Sequence, residues 1–353
     1  IIVASVQRNQ FSLSGFYARR IKRILPAVFV MLLAVIVFGY FILTPDKYLN
    51  LAESAIYTSV FLANVWFAKT TGYFDEFTGI SPLVHMWSLA VEEQFYLIFP
   101  VLLASMNFLW GSKGIRVSII VLFVTSLLLS IFLTSRYPNF SFYLLPTRAW
   151  ELSAGALLVL FPPGELRIRN ANLMSYLGLA IIAVGLVFIS QEQAYPGWLA
   201  LVPVIGTLLL IVSGHTAMSV GNRILSYPPV VLVGRFSYSA YLWHWPIISF
   251  YRIYVSEREF VFIEIVLLVT ASLLAGFLSW KLIEERFRHI QLSPTKTILL
   301  GALLIGVMTI TSVTVYVMQG FPDRLSSEAL SITDNTLMGK FECTERIALF
   351  EEE

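Results

Sequence analysis

The sequence has one cysteine in 353 residues, Cys343. A single thiol rules out an internal disulfide and a cysteine-based metal site. Histidine is almost as scarce: of the four, His215 and His289 fall in expected loops and no HExxH-type spacing occurs, so no metal is expected. Charge is the third shortage. Asp, Glu, Lys and Arg make up 13% of the chain, about half the share that keeps a soluble domain's surface in water. The net charge of +2 is too small for a nucleic-acid footprint. No polar stretch long enough to form a soluble domain precedes residue 320. The chain begins at Ile1, inside apolar sequence, without Met and without the charged region and cleavage site of a signal peptide. It reads as a piece whose natural start lies upstream.

What is abundant is apolar and aromatic surface: 57% hydrophobic residues, with 27 Phe, 16 Tyr and 8 Trp. This is the composition of a polytopic membrane protein. Runs of about 20 residues, the length that crosses a bilayer, are expected as helices at 26–44, 88–107, 116–134, 142–163, 174–190, 198–213, 229–253, 259–283 and 297–318, with a shorter run at 52–67.

Clustered Lys and Arg mark cytoplasmic loops. They occur at Arg19, Arg20, Lys22 and Arg23, at Lys113 with Arg116, at Arg167 with Arg169, at Arg223, and at Arg286 and Arg288 with Lys296. The stretch 191–197, QEQAYPG, has neither and suits the outer side. Alternation then works from residue 109 onward and leaves the tail after Met318 outside. Before residue 109 two basic clusters want the same side with three apolar segments between them, so one segment does not cross. The shortest, 52–67, is expected to be a re-entrant or outer-side element, which implies a cavity, because irregular backbone at membrane depth must be packed in protein or line one. The expected fold is all-α: a polytopic transmembrane helical bundle of about nine crossing helices plus that segment. Residues 1–318 are expected to form the membrane-embedded domain, including a terminal span at 297–318. The polar stretch 319–353 is expected to be an extracytoplasmic linker or the start of a further domain.

Within this apolar chain, SPLVHMWSLAVEEQFYLIFP (81–100) carries His85, Glu92 and Glu93 into a helix. A carboxylate at membrane depth costs on the order of 3 kcal/mol even on a lenient scale, so these groups need a partner or a use. Glu92 and Glu93 are about 100° apart on a helix; one is expected to face a cavity while the other pairs structurally. Arg148 and Glu151 in LLPTRAWELSAGALL are three residues apart and able to pair. In GRFSYSAYLWHWP, Ser237, Tyr241 and His244 share one face. Ionisable groups from three spans thus fall at comparable depth, and one shared polar cavity is expected. His85, beside the carboxylates, joins Glu92, Glu93, Arg148 and Glu151 as a candidate catalytic residue. His244 reads instead as an interfacial group like Trp87, Trp243 and Trp245. Arg19, Arg20 and Arg23 either mark topology or hold an anion such as the phosphates of a nucleotide-like donor, since guanidinium forks match phosphate oxygens. A proton or ion pathway is the competing use of intramembrane charge.

The ordered series FYARRIKRILPA, GYFD (Gly72–Asp75), PLVHMWSLAVEEQFYLIFP, LLPTRAWELSAGALL, GRFSYSAYLWHWP and KLIEERFR resembles the acyltransferase 3 family of bacterial membrane O-acetylases over most of residues 10–290. The resemblance implies transfer of an acyl group, usually acetyl from cytoplasmic acetyl-CoA, to a sugar hydroxyl of an envelope glycan such as O-antigen or peptidoglycan, in the bacterial inner membrane. It implies that Arg19, Arg20 and Arg23 hold the coenzyme's phosphates, that Glu92 or Glu93 orients a histidine base, and that Arg148 stabilises the oxyanion. The turn GFPDR (Gly320–Arg324) resembles the branch in which an outer SGNH-type domain follows. One departure stands out. The family carries an Arg or Lys, ten residues, then a His in its first span; no such pair occurs here, and residues 1–7 look like the end of a second span. A glycan or lipid transporter and a purely structural anchor remain the alternatives from other classes; neither explains the ordered series.

Overall fold

In the computed structural model, residues 2–7, 11–70, 80–160, 170–190, 193–216, 218–256 and 258–325 are described. GYFD, Arg167, Arg169, Cys343 and the tail from residue 326 lie outside the described residues. Every regular element among the described residues is helical. In chain order these are α1 (Ile2–Gln7), α2 (Leu13–Ile42), α3 (Pro45–Ser59), α4 (Ala63–Thr70), α5 (Met86–Thr134), α6 (Pro138–Tyr143) and α7 (Leu145–Leu160). After them come α8 (Ala171–Phe188), α9 (Leu201–Thr216), α10 (Val220–Leu225), α11 (Pro228–Tyr254), α12 (Phe262–Arg288) and α13 (Pro294–Val317).

The expectation of about nine crossing helices is overturned. Among the described residues five helices are long and apolar enough to cross a membrane: α2, α5, α8, α12 and α13. The reasons are local. Runs 88–107 and 116–134 belong to one 49-residue element, α5, bent at Gly111, whose φ of 59° and ψ of −151° suit a residue without a Cβ. Run 142–163 breaks at Leu144 and leaves α7 with 16 residues, about 24 Å of rise against a hydrocarbon core of about 30 Å. Run 198–213 likewise gives α9, 16 residues. Run 229–253 becomes α11, 27 residues, long enough but weakened as an apolar span by Arg235, Ser237, Tyr238, Ser239, Tyr241, His244 and Ser249. Segment 52–67 is split by a turn at 60–62 into α3 and α4.

The main core joins α2, α3, α4, the start of α5, α11 and α13 around Val28, Met31, Leu32, Leu51, Phe67, Leu83, Met86 and Leu242, all buried. A second cluster holds α1, α5 and α7 together through Val6, Phe95, Phe99, Leu103, Ile115 and Ile119. Outward faces are apolar, with Phe41, Phe108, Leu186 and Phe262 exposed, as lipid-facing surface requires. α2 starts at an N-cap, Ser12, whose hydroxyl accepts from the Gly15 amide.

Two contacts set α11 against α5 on one side and α12 on the other. On α11, Tyr241, Trp245 and Ser249 recur every four residues and so share a face. Their side chains donate to the carbonyls of His85, Ser81 and Ile80, the Trp245 bond being 2.8 Å. The turn before α5 is thereby fastened to α11 along its length. At Gly276, α12 comes so near α11 that an added Cβ would lie 2.4 Å from the Ala240 Cα. At the far end of α13, Gly320 and Phe321 adopt positive φ, and Arg324 reaches back to the Leu43 carbonyl, its guanidinium 4.9 Å from the rings of both Tyr40 and Tyr48.

Candidate functional site

The first turns of α5 present their polar residues in two directions. His85, Ser88 and Glu92 are spaced three and four residues apart, which stacks them on the face turned to α11. Glu93 points to α2 instead. It takes a two-point ion pair from Arg20, with Nη2 2.5 Å from Oε1 and Nε 3.4 Å from Oε2, and the Arg20 guanidinium lies 3.4 Å above the Tyr96 ring. Arg20 is therefore fully engaged within the protein. Arg19 and Arg23 are exposed.

Glu92 is exposed and, among the described residues, makes no ion pair within 4 Å; Glu93, Arg20 and Arg23 are the charges that act on it. Arg23 acts also on Glu284. Glu284 is 2% exposed and accepts a 3.1 Å bond from the Ser239 hydroxyl. It closes a π-helical turn, Trp280–Glu284, inside α12, a wider turn that recurs at functional sites. Tyr238 beside it donates to the Ile24 carbonyl at 3.0 Å. So α2, α5, α11 and α12 each contribute a polar group around Arg23.

Further along the same α5 face, Ser88 bonds to the Tyr241 hydroxyl at 2.5 Å, and Tyr241 donates to the His85 carbonyl. The His85 ring is buried, with Nε2 3.2 Å from the Leu242 carbonyl. His244, half-buried, lies with its ring centre 5.6 Å from that of His85 and 5.3 Å from that of Tyr241. The expectation of an interfacial His244 is thus corrected in part: it packs on His85 and Tyr241.

Arg148 and Glu151 pair at 2.7 Å, as their spacing allows. Arg148 is buried, donates through Nε to the Phe142 carbonyl at 3.0 Å, and is enclosed by the rings of Trp87, Phe142 and Tyr195 at 5.4, 4.9 and 5.3 Å. Among the described residues no hydrogen bond or ion pair joins it to Glu92 or Glu93. Trp87 turns away from the His85 face and stands at this second centre. The shared cavity expected for all three spans is therefore resolved into two polar centres on opposite sides of α5.

A cavity of about 330 Å³ lies between α2 and α13, lined by Ile21, Ile24, Leu25, Phe61 and Ile305 and bounded by Arg20 and Glu93. Among the described residues no three His, Cys, Asp or Glu side chains gather as metal ligands.

Residues 2–317 match a family model described as an acyltransferase domain. The chain belongs to the acyltransferase 3 family. Within that family it is 32% identical to the peptidoglycan O-acetyltransferase OatA of Listeria monocytogenes, over 82% of this chain and 48% of the relative. To the O-acetyltransferase OatA of Staphylococcus aureus it is 29% identical, over 82% of this chain and 50% of the relative. The chain spans about half the length of these relatives. No solved structure matches it. Family membership implies an acyl donor, and the five long apolar helices fit a multi-pass membrane protein.

Several residues of the site were not singled out from sequence: Ser88, Tyr96, Tyr238, Ser239 and Glu284. Ser88 and Tyr96 are legible in hindsight from their spacing to His85 and Glu93. Glu284 carried the stronger signal, an acidic residue inside the motif KLIEERFR at the end of an apolar run.

Proposed function

We propose that this chain is the membrane domain of an O-acyltransferase that moves an acyl group, acetyl in the simplest case, from cytoplasmic acetyl-CoA to a sugar hydroxyl of a cell-envelope glycan. The observation that carries the reading is the polar face running from Arg23, Glu92 and Glu284 through Ser88 and Tyr241 to the two imidazoles. Within a family of acyltransferases such a face offers anion recognition at one end and proton-handling groups at the other.

On this reading Arg19 and Arg23, exposed and basic, hold the donor's phosphates. Arg20, committed to Glu93 and Tyr96, positions that end of α2. Glu92 is the carboxylate available to orient a base, with His85 behind it. Arg148, desolvated by its aromatic box, stabilises the oxyanion that develops on the thioester carbonyl, with Glu151 fixing its direction and Glu93 remaining structural. The basic end of α2 faces the cytoplasm of a bacterial inner membrane. Residues 1–318 are the membrane-embedded domain, and residues 319–353 an extracytoplasmic linker toward an SGNH-type domain. The acceptor is a glycan of the peptidoglycan or O-antigen kind; the name of the Listeria relative favours peptidoglycan.

The test uses the full protein in native membranes with radiolabelled acetyl-CoA and purified peptidoglycan. Transfer of label to the glycan, abolished by Glu92→Gln with the protein level unchanged, is expected. Full transfer by Glu92→Gln removes Glu92 from the mechanism; movement of glycan across vesicles without acyl transfer removes the enzymatic reading.

A further inference from the structure

His85 and His244 are held in fixed and complementary protonation states. A carbonyl oxygen only accepts, so the nitrogen facing one must carry the hydrogen. His85 Nε2 faces the Leu242 carbonyl at 3.2 Å, which leaves the lone pair on Nδ1. That Nδ1 is buried and, among the described residues, has no hydrogen-bond partner. His244 Nδ1 faces the Tyr241 carbonyl at 2.6 Å, which leaves its lone pair on Nε2. The rings stand nearly perpendicular, 80°, with centres 5.6 Å apart. Among the described residues neither imidazole has a carboxylate within ion-pair distance. Two neutral bases are thus set side by side, one buried and one half-exposed, with a lone pair left over on each.

The surroundings keep them so. Tyr241 donates to the His85 carbonyl and bonds Ser88, while Trp245 and Ser249 pin the preceding turn. An orphaned acceptor in a buried position costs about 1–3 kcal/mol, a cost retained where the group has a use. The groups a proton on either ring would feel are the other imidazole, the Tyr241 hydroxyl and, further along α5, Glu92.

We propose that His244 and His85 form a two-imidazole proton relay for the acceptor hydroxyl, with His244 the catalytic base and His85 the second station. The inference rests on the acyltransferase reading. The acceptor's O–H bond breaks as its oxygen forms a bond to the acyl carbonyl carbon, and the proton passes to His244 Nε2. The C–S bond of the thioester donor breaks with its electron pair on sulfur. The proton, shared onward to His85 Nδ1, returns to that thiolate to give free thiol, and both imidazoles end neutral.

Exogenous imidazole separates this role from a packing role. In the full protein, with acetyl-CoA and purified peptidoglycan, His244→Ala is expected to lower kcat about 100-fold, the lower bound for general-base catalysis, with KM for acetyl-CoA unchanged. Added imidazole is expected to restore part of that loss. His244→Gln, which fills the site without carrying a proton, is expected to be equally slow and insensitive to imidazole. Full activity of His244→Gln, or loss in His244→Ala with no recovery on imidazole, overturns the relay. A readout independent of turnover is nitrogen NMR of histidine-labelled protein in bilayers, assigned with the two His→Gln variants. The relay requires hydrogen on Nδ1 of His244 and on Nε2 of His85, and the opposite pattern at either ring overturns it. A wild-type protein with these tautomers but no acyl transfer sinks the acyltransferase reading instead.

Discussion

Adjacent glutamates on α5 should separate stability from activity. Glu93 is bound to Arg20 at two points with side chains 20% and 17% exposed, so most of the pair is shielded from water. Removing one partner of a buried pair costs about 3–5 kcal/mol because the other is stranded, and the residual exposure puts Glu93→Ala near the bottom of that range, about 3 kcal/mol. Arg20→Ala also loses the stacking on Tyr96 at 3.4 Å, worth about 1 kcal/mol more. Neither charge is stranded in the double variant, so it should cost about 4–5 kcal/mol instead of the summed 7, a coupling of about 2–3 kcal/mol. Equilibrium unfolding in mixed detergent–SDS micelles measures each value. Glu92→Gln in the same assay should fall within about 0.5 kcal/mol of wild type, as substitutions away from packed features do. Strict additivity of Arg20→Ala and Glu93→Ala, or a Glu92→Gln protein as unstable as Glu93→Ala, would refute the division of labour between the two carboxylates.

Other consequences are as direct. Arg148→Lys keeps the charge but cannot serve the Phe142 carbonyl and Glu151 together; it should cost about 1–3 kcal/mol and sharply slow acyl transfer. Gly276→Ala pushes a methyl against the Ala240 backbone and should destabilise the protein by about 1–3 kcal/mol in the same SDS titration. Burial pushes the Tyr48 phenol up to about 12, with Arg324 pulling the other way. The folded state then holds a proton that the unfolded chain releases near its ordinary value of 10, so stability should fall as pH rises from about 10 to about 12. Tyr48→Phe should flatten that part of the unfolding-versus-pH curve, and an unchanged curve would remove Tyr48 as its source.

Pairings close in sequence were legible; those between distant residues were not. Arg148 and Glu151 could be matched because i,i+3 neighbours meet on any helix. Which of Glu92 and Glu93 is structural depended on Arg20, 73 residues upstream, and no periodicity within α5 carries that information. The same limit misplaced His244, whose company with His85 arises from a contact 159 residues long, while its neighbours Trp243 and Trp245 made a membrane-interface reading natural. The span count failed for a different reason: hydropathy sees apolar content but not the breaks at Leu144 and 60–62, nor the bend at Gly111 that leaves two runs in one helix. The family motifs survived these errors because they record the residues themselves, whatever shape the spans take.

The three α11 donors at Tyr241, Trp245 and Ser249 have a mechanical consequence. By holding the carbonyls of His85, Ser81 and Ile80, they make the start of α5 and the middle of α11 a single plate, on which His85, Ser88, Glu92 and His244 keep fixed separations. A plate fastened at three points does not open along its own seam. Any gate that admits a substrate to this face must therefore swing on the opposite side, where α2 is held to α5 mainly by Arg20 on Glu93 and Tyr17 on the Leu97 carbonyl. The Arg20–Glu93 pair is then a latch as well as a prop.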